Sequence, residues 1–357
     1  MSIQTRPRAN ATTPAGEVPR RMAPAGKVLA TMLVCLLVWG LLDARSLKRS
    51  ADASPIGARR TAALAVLDPL YLVSRYTGLD ALGTRGSEAL GRNPNQEPGG
   101  SISIPPAATG APPAPLKSGR RGGHRVQTAE GSFILPPPVR EPTLKEPERV
   151  VVVGDSFALG LGLGVARVLD TPLVHLVQQG REATGLARPD YFNWLAQVRA
   201  DVQRFKPDII VAMFGGNDFQ SLVVPGGVPI PRSDVAAWSE LYRKRVAAVM
   251  RTATAGGARV VWVGLPPSRS PVLPDAAVHR MNDIYQSEAS LVPGVVYLDS
   301  WQFFARNGGY AAYLPIGAGG KMTQARESDG VHFTFAGYAY LGRQVVALMH
   351  SLLGLKT

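Results

Sequence analysis

From Arg149 onward the chain alternates short apolar runs with stretches of helical periodicity. This alternation limits the fold more than any other feature of the 357 residues. Val150–Val153 is an unbroken β-branched run, the pattern of a parallel strand buried on both faces. Further strands are expected over 173–177, 208–214, 259–264 and 295–298. Helices are expected over 158–169, 192–205, 238–254, 275–291 and 335–353. Strands alternating with helices of this length specify a doubly wound α/β fold: a five-stranded parallel sheet with helices on both faces, a three-layer sandwich. Ligands in such sheets bind beyond the carboxyl ends of the strands, so the residues that follow strands are where chemistry is sought.

The first half of the chain reads differently. Val28–Leu42 is an uncharged apolar run preceded by Arg6, Arg8, Arg20, Arg21 and Lys27. It reads as a transmembrane signal anchor over 28–42, with 1–27 a basic cytoplasmic tail and the remainder of the chain outside the cytoplasm. The competing reading is a cleaved signal peptide with Ala51-Asp52-Ala53 at the cut, which releases a secreted protein. Cys35 lies within the run, where a small hydrophobe belongs, and not after it, where a lipid-bearing cysteine would stand. Residues 43–92 read as short juxtamembrane helices, broken or kinked at Pro69. Residues 93–148 contain 12 Pro and 7 Gly, the composition of a disordered linker.

The formal net charge of +13 is carried mainly by this first half. Residues 1–149 hold 20 Lys/Arg against 11 Asp/Glu, and 150–357 hold 19 against 15. Basic residues that flank an apolar run and a proline-rich stretch suit a membrane surface and not a nucleic acid. A single cysteine excludes a disulfide framework and a cysteine-rich zinc site.

Three segments carry chemistry. Gly154-Asp155-Ser156-Phe157 follows the first strand, and a serine there has a helix N-terminus behind it, whose free N–H groups stabilise an oxyanion. Gly215-Gly216-Asn217-Asp218 follows the third strand, where two glycines let backbone approach a ligand and the Asn217 amide offers a donor. Asp329-Gly330-Val331-His332 precedes the last helix. A nucleophilic serine needs a base, and the base needs an orienting acid. Among the five histidines, His124 lies in the linker, His175 in an apolar strand and His350 on the last helix. His279 is a weaker helical alternative. His332 has Asp329 three residues upstream to orient its ring, with the other ring nitrogen toward Ser156.

In this order the blocks GDSF, a glycine, GGND and DGVH resemble the SGNH hydrolases, the GDSL esterase and lipase superfamily, over about residues 149–353. The resemblance implies the flavodoxin-like sandwich, a Ser156–His332–Asp329 triad, and an oxyanion hole of the Ser156 N–H, a glycine N–H and the Asn217 side chain. Gly180 and Gly185 both suit the second block, and Gly185, deeper in its loop, is preferred. The layout, with GLARPDYF and GNDFQSLVVPGG, also looks like a less characterised bacterial SGNH-like group.

The expected function is a serine esterase in the bacterial inner membrane with its catalytic domain, 149–357, in the periplasm. It would hydrolyse or transfer O-acyl groups, O-acetyl foremost, on envelope carbohydrates, without cofactor or metal and without nucleic acid. Arg188, Tyr191, Trp194 and Trp301 are expected to line a sugar cleft or else to pack helices. The alternatives are a lipid esterase or thioesterase on the same fold, and a non-catalytic glycan-binding module.

Overall fold

The computed structural model describes residues 25–54, 57–89, 125–128, 131–134, 140–169, 171–353 and 355. Four helices come first: α1 (Ala25–Leu42), α2 (Ala44–Ala53), α3 (Ala58–Thr77) and α4 (Leu79–Ala89). Leu29, Met32, Leu33, Leu36 and Trp39 of α1 are each more than half exposed. No single helix among the described residues is long and apolar enough to cross a membrane. The bent pair Gly26–Leu42 and Ala44–Asp52, at 71° to each other, passes that test together. Of the break or kink expected at Pro69, the break is absent: α3 runs through it and packs on α1 and α2. Arg45–Asp80 at 2.5 Å and Lys48–Asp68 at 2.8 Å tie α2 to α4 and α3.

Inside 93–148, expected to be disordered throughout, β1 (Arg125–Thr128) and β2 (Gly131–Ile134) pair as an antiparallel hairpin. The contacts of the following domain begin before residue 149. Arg140 donates to the carbonyls of Glu146 at 2.6 Å and Pro147 at 2.5 Å and reaches Asp208 at 3.3 Å.

The domain then follows the expected alternation: β3 (Glu148–Gly154), α5 (Ser156–Val168), β4 (Val174–Gly180), α6 (Trp194–Phe205), β5 (Ile209–Met213), α7 (Val235–Thr254), β6 (Arg259–Val263), α8 (Asp275–Leu291) and β7 (Val295–Leu298). After a short helix, α9 (Trp301–Phe304), come β8 (Ala305–Arg306) paired with β9 (Gly309–Tyr310), and β10 (Tyr313–Leu314) paired with β11 (Thr323–Gln324). The long helix α10 (Phe335–Leu353) closes the domain. The sheet order is β4-β3-β5-β6-β7, all parallel. The order reverses between β3 and β5, and that switch point leaves a crevice at their carboxyl ends.

Val150–Val153, Ile209–Met213 and Val260–Val263 are buried along their whole length, as strands covered on both faces must be. β4 runs three residues past its expected end. Its polar residue Gln178 is buried, donates to Ala158 O and Leu159 O, and accepts from Gly180 N, so strand geometry continues without an apolar signal. Helices α6 and α7 start where side chains cap them, Asn193 accepting from Ala196 N and Asp234 from Ala237 N.

Helices α5 and α10 approach through glycine. A Cβ on Gly164 would lie 2.1 Å from the Tyr338 carbonyl oxygen, and one on Gly342 would lie 2.4 Å from the Gly164 carbonyl carbon. Gly→Ala in an exposed helix normally adds about 1 kcal/mol. Here Gly164→Ala is expected to lose about 1–3 kcal/mol, because backbone cannot yield as a side chain can. Urea denaturation monitored by circular dichroism measures it, and a stabilised variant contradicts the packing.

At the opposite edge of the sheet, Glu148 is fully buried, and neither carboxylate oxygen has a hydrogen-bond partner. Burial, with Asp208 nearby, pushes it up to about 7. A carboxyl of raised pKa holds its proton longer in the folded state than in the unfolded chain, where it titrates near ~4.3. Its contribution to stability therefore falls as the pH rises from about 4 through 7. Glu148→Gln is expected to leave Tm unchanged near pH 4.5 and to raise it at pH 8. An equal offset at both pH values refutes this assignment.

Candidate active site

β3 ends at Gly154, whose φ of 139° and whose missing Cβ, otherwise 1.9 Å from Met213 O, admit only glycine. Asp155 then caps α5, accepting from Phe157 N at 3.0 Å through Oδ1. Its other oxygen accepts from Gly215 N at 2.8 Å and Gly216 N at 2.7 Å. One fully buried carboxylate thus joins the turn after β3 to the turn after β5. Burial and the nearby Asp218 push Asp155 up to about 7, against the pull of its three N–H donors. Ser156 is the first residue of α5, so its own N–H is among those a helix start leaves without an intrahelical partner.

The turn after β5 places Asn217 and Asp218 against the loop after β4. Asn217 Nδ2 donates to Thr184 O at 2.9 Å. Asp218 is buried and accepts from Ala187 N at 2.8 Å and from Tyr242 Oη at 2.7 Å; Tyr242 in turn contacts Tyr285, which donates to Phe214 O. Gly185 faces this carboxylate so closely that a Cβ would lie 2.1 Å from Asp218 Oδ1. Gly180 belongs to β4 and donates its N–H to Gln178, so of the two glycines Gly185 is the one packed against the Asn217–Asp218 turn. Arg245 holds the same loop by donating to Leu186 O, Ala187 O and Val223 O.

The third block sits on a narrow loop whose sides meet at the Arg326–Phe333 bridge. Asp329 Oδ1 accepts from Val331 N at 2.8 Å and His332 N at 3.0 Å, and Asp329 Oδ2 lies 2.6 Å from His332 Nδ1. Burial works against the Asp329 anion, but these hydrogen bonds outweigh it and hold the carboxyl below its ordinary value. His332 Nε2 lies 2.8 Å from Ser156 Oγ. Serine, histidine and aspartate, 176 residues apart at the extremes of the domain, are in contact in the order that nucleophilic catalysis uses.

The remaining expectations fare unequally. Trp194 is 2% exposed, with Nε1 donating to Thr184 Oγ1, so it supports the Gly185 loop from the core and lines no cleft. Arg188 is 4% exposed, and its guanidinium is taken up by Asp190, Ser54 O and Asp52 O. Tyr191 and Trp301 are half-buried, and Trp301 lies against His279 with ring centroids 4.1 Å apart. His350 Nδ1 contacts Leu355 O, and His124 lies outside the described residues. Among the described residues no group of three or more His, Cys, Asp or Glu is placed to hold a metal ion. Asp155, Asp218, Arg245 and Arg326 were not singled out from sequence. The first two stand inside the GDSF and GGND blocks, and nothing in the sequence marks the two arginines.

Several solved structures are similar in fold. TesA is 20% identical, with a TM-score of 0.40, and the match covers 58% of this chain and 100% of that one. The GDSL-like lipase from Bacteroides thetaiotaomicron is 17% identical, with a TM-score of 0.40 and coverage of 59% and 92%. The periplasmic domain of the lipopolysaccharide acetyltransferase from Salmonella Paratyphi A is 12% identical, with a TM-score of 0.40 and coverage of 57% and 84%. Comparison of the sequence with curated proteins finds no match. The sequence fits the family model described as a protein of unknown function, DUF459, over residues 149–348, more than half of its length, and the chain belongs to that family.

Proposed function

We propose that the chain is a serine esterase or acyltransferase of SGNH type, held at a membrane with its catalytic domain outside the cytoplasm. The observation that carries this reading is the unbroken contact Ser156–His332–Asp329, 2.8 Å and 2.6 Å, at the carboxyl edge of the sheet. Ser156 Oγ attacks the ester carbonyl while His332 Nε2 takes its proton. Asp329 keeps the remaining proton on Nδ1 and stabilises the imidazolium. The oxyanion is met by the Ser156 N–H at the start of α5, the Gly185 N–H, and the second N–H of the Asn217 amide, whose first is spent on Thr184 O. The tetrahedral intermediate then expels the alcohol, which takes the proton from His332, and leaves an acyl-serine. Water or an acceptor hydroxyl, deprotonated by the same histidine, completes hydrolysis or transfer.

The exposed apolar side chains of α1, the bent pair it forms with α2, and the five basic residues before Val28 support a membrane-held protein facing outward. Acyl esters in that compartment are carried on envelope glycans, which makes carbohydrate O-acyl groups, O-acetyl foremost, the proposed substrate.

A fluorophosphonate probe should label the detergent-solubilised full chain at Ser156 alone. Labelling should vanish in Ser156→Ala and His332→Ala, and hydrolysis of a small acetate ester should fall with it. Asp329→Asn should keep the fold and lose about 10⁴ in kcat, the scale of the corresponding change in serine proteases. Labelling at any other serine, or full activity in Ser156→Ala, ends the mechanism. Asn217→Ala should lower kcat by about 10²–10³, the loss that follows removal of one oxyanion donor, with KM little changed. Normal kcat with raised KM would make Asn217 a binding residue instead.

A further inference from the structure

Arg326 is fully buried, yet among the described residues it forms no ion pair. Its donors go to backbone: Nη1 to Pro267 O at 2.6 Å, Nη2 to Val331 O at 2.6 Å, and Nε toward His332 O at 3.4 Å. The guanidinium lies over two aromatic rings, 5.0 Å from the centroid of Tyr310 and 4.8 Å from that of Phe333. Burial lowers its pKa to about 10, which leaves it charged at neutral pH. Burying a cation without a counter-ion is costly, and an apolar side chain of similar length would fill the same space more cheaply. What only a planar fork can do here is bind three carbonyls in different directions at once.

Two of those carbonyls belong to the backbone of the base. Val331 and His332 carry the histidine ring, and Pro267 stands on the segment after β6, a separate part of the sheet edge. The same segment reaches the loop again through Arg269 N and Ser268 Oγ, both donating to Gly330 O. Phe333, under the guanidinium, also packs against Phe157, the residue after the nucleophile, with ring centroids 5.8 Å apart. The Ser156–His332 contact of 2.8 Å therefore depends on a loop whose Val331 and His332 carbonyls are gripped from behind by Arg326. Resting on the serine-hydrolase reading above, we infer that Arg326 is a positioning residue: it fixes the backbone of His332 relative to the sheet edge and so sets the reach of the base to Ser156. It touches no reacting atom and acts through Val331 and His332.

Arg326→Lys keeps the charge and loses the fork, and Arg326→Met keeps the bulk and loses every donor. Both are made in the full chain. Two quantities are measured for each: the rate constant and final extent of fluorophosphonate labelling at Ser156, and kcat and KM on an acetate ester. A misplacement of the base by about 1 Å costs on the order of 10²-fold in rate. The expected result is the order Arg, Lys, Met in kcat and in labelling rate, with Met lower by about 10²-fold, KM nearly constant, and labelling still reaching completion. Completion shows that the protein is folded, and the slowed rate shows that the base is misplaced. If both variants lose thermal stability but the labelled protein reacts at the unmutated rate, Arg326 merely holds the fold and the inference is overturned. Should Arg326→Met fail to accumulate, Arg326→Lys decides alone: slowed labelling supports the inference and an unmutated rate overturns it. Absence of Ser156 labelling in the unmutated chain overturns the hydrolase reading and this inference together, an outcome distinct from the previous one.

Discussion

The close approach of α5 and α10 is the constraint on which the rest of the site depends. α5 begins at Ser156 and α10 begins three residues after His332, so the two helices that pack most closely carry the proposed nucleophile at the head of one and the proposed base just ahead of the other. Their spacing is set by Gly160, Gly164 and Gly342, where Tyr338 and the opposing backbone occupy the room of a side chain. Glycine within a helix weakens it by about 1 kcal/mol each. The run Gly160-Leu-Gly-Leu-Gly164 accepts that cost several times, and the return is helix-to-helix contact at backbone distance. A wider helix pair would carry His332 away from Ser156 without altering any residue of the triad.

Two buried carboxylates do for the loops what the glycines do for the helices. Asp155 gathers N–H groups from its own turn and from the turn after β5, and Asp218 ties that second turn to the loop after β4. Three separate strand ends are thereby locked together beneath the proposed oxyanion hole. The cost shows in the electrostatics, since burial raises the pKa of both and Asp218 further disfavours ionisation of Asp155. The donors around them recover part of that cost, and Tyr242 closes the network by donating to Asp218.

Much of this was legible in the sequence, for definite physical reasons. A strand buried on both faces must be apolar throughout, so β3, β5 and β6 stood out, and the expected strands differ from them by only one or two residues at their ends. Ser156, Asn217, Asp329 and His332 sit in blocks that are ambiguous singly and stand out only by their order, which resembles the SGNH pattern. The partners of the supporting arginines were not legible. Arg188, Arg245 and Arg326 bond to backbone carbonyls, and carbonyls are present at every residue, so no pattern of side chains announces such a partner. Trp194 was left between a sugar cleft and helix packing for a related reason. An indole suits a sugar face and a core equally well, and only its bond to Thr184 distinguishes the two.

Arg188 also changes how the two halves of the chain relate. A Pro/Gly-rich stretch between an apolar helix and a catalytic domain suggests a leash, with the active site free to range over the length of 93–148. Yet α2 ends on the catalytic domain, its last carbonyls at Asp52 and Ser54 accepting from the buried Arg188 guanidinium. A helix C-terminus is its negative end, so a cation is the natural partner there. Asp190 completes the charge balance at 2.9 Å. Arg188 lies only three residues beyond Gly185, on the loop held by Asp218 and Arg245. The segment that follows the apolar helix is thus seated on the same loop that faces the proposed oxyanion hole. With α1 in a bilayer, that docking and not the linker would set the height of the site above the membrane, and substrate would be met at the surface itself.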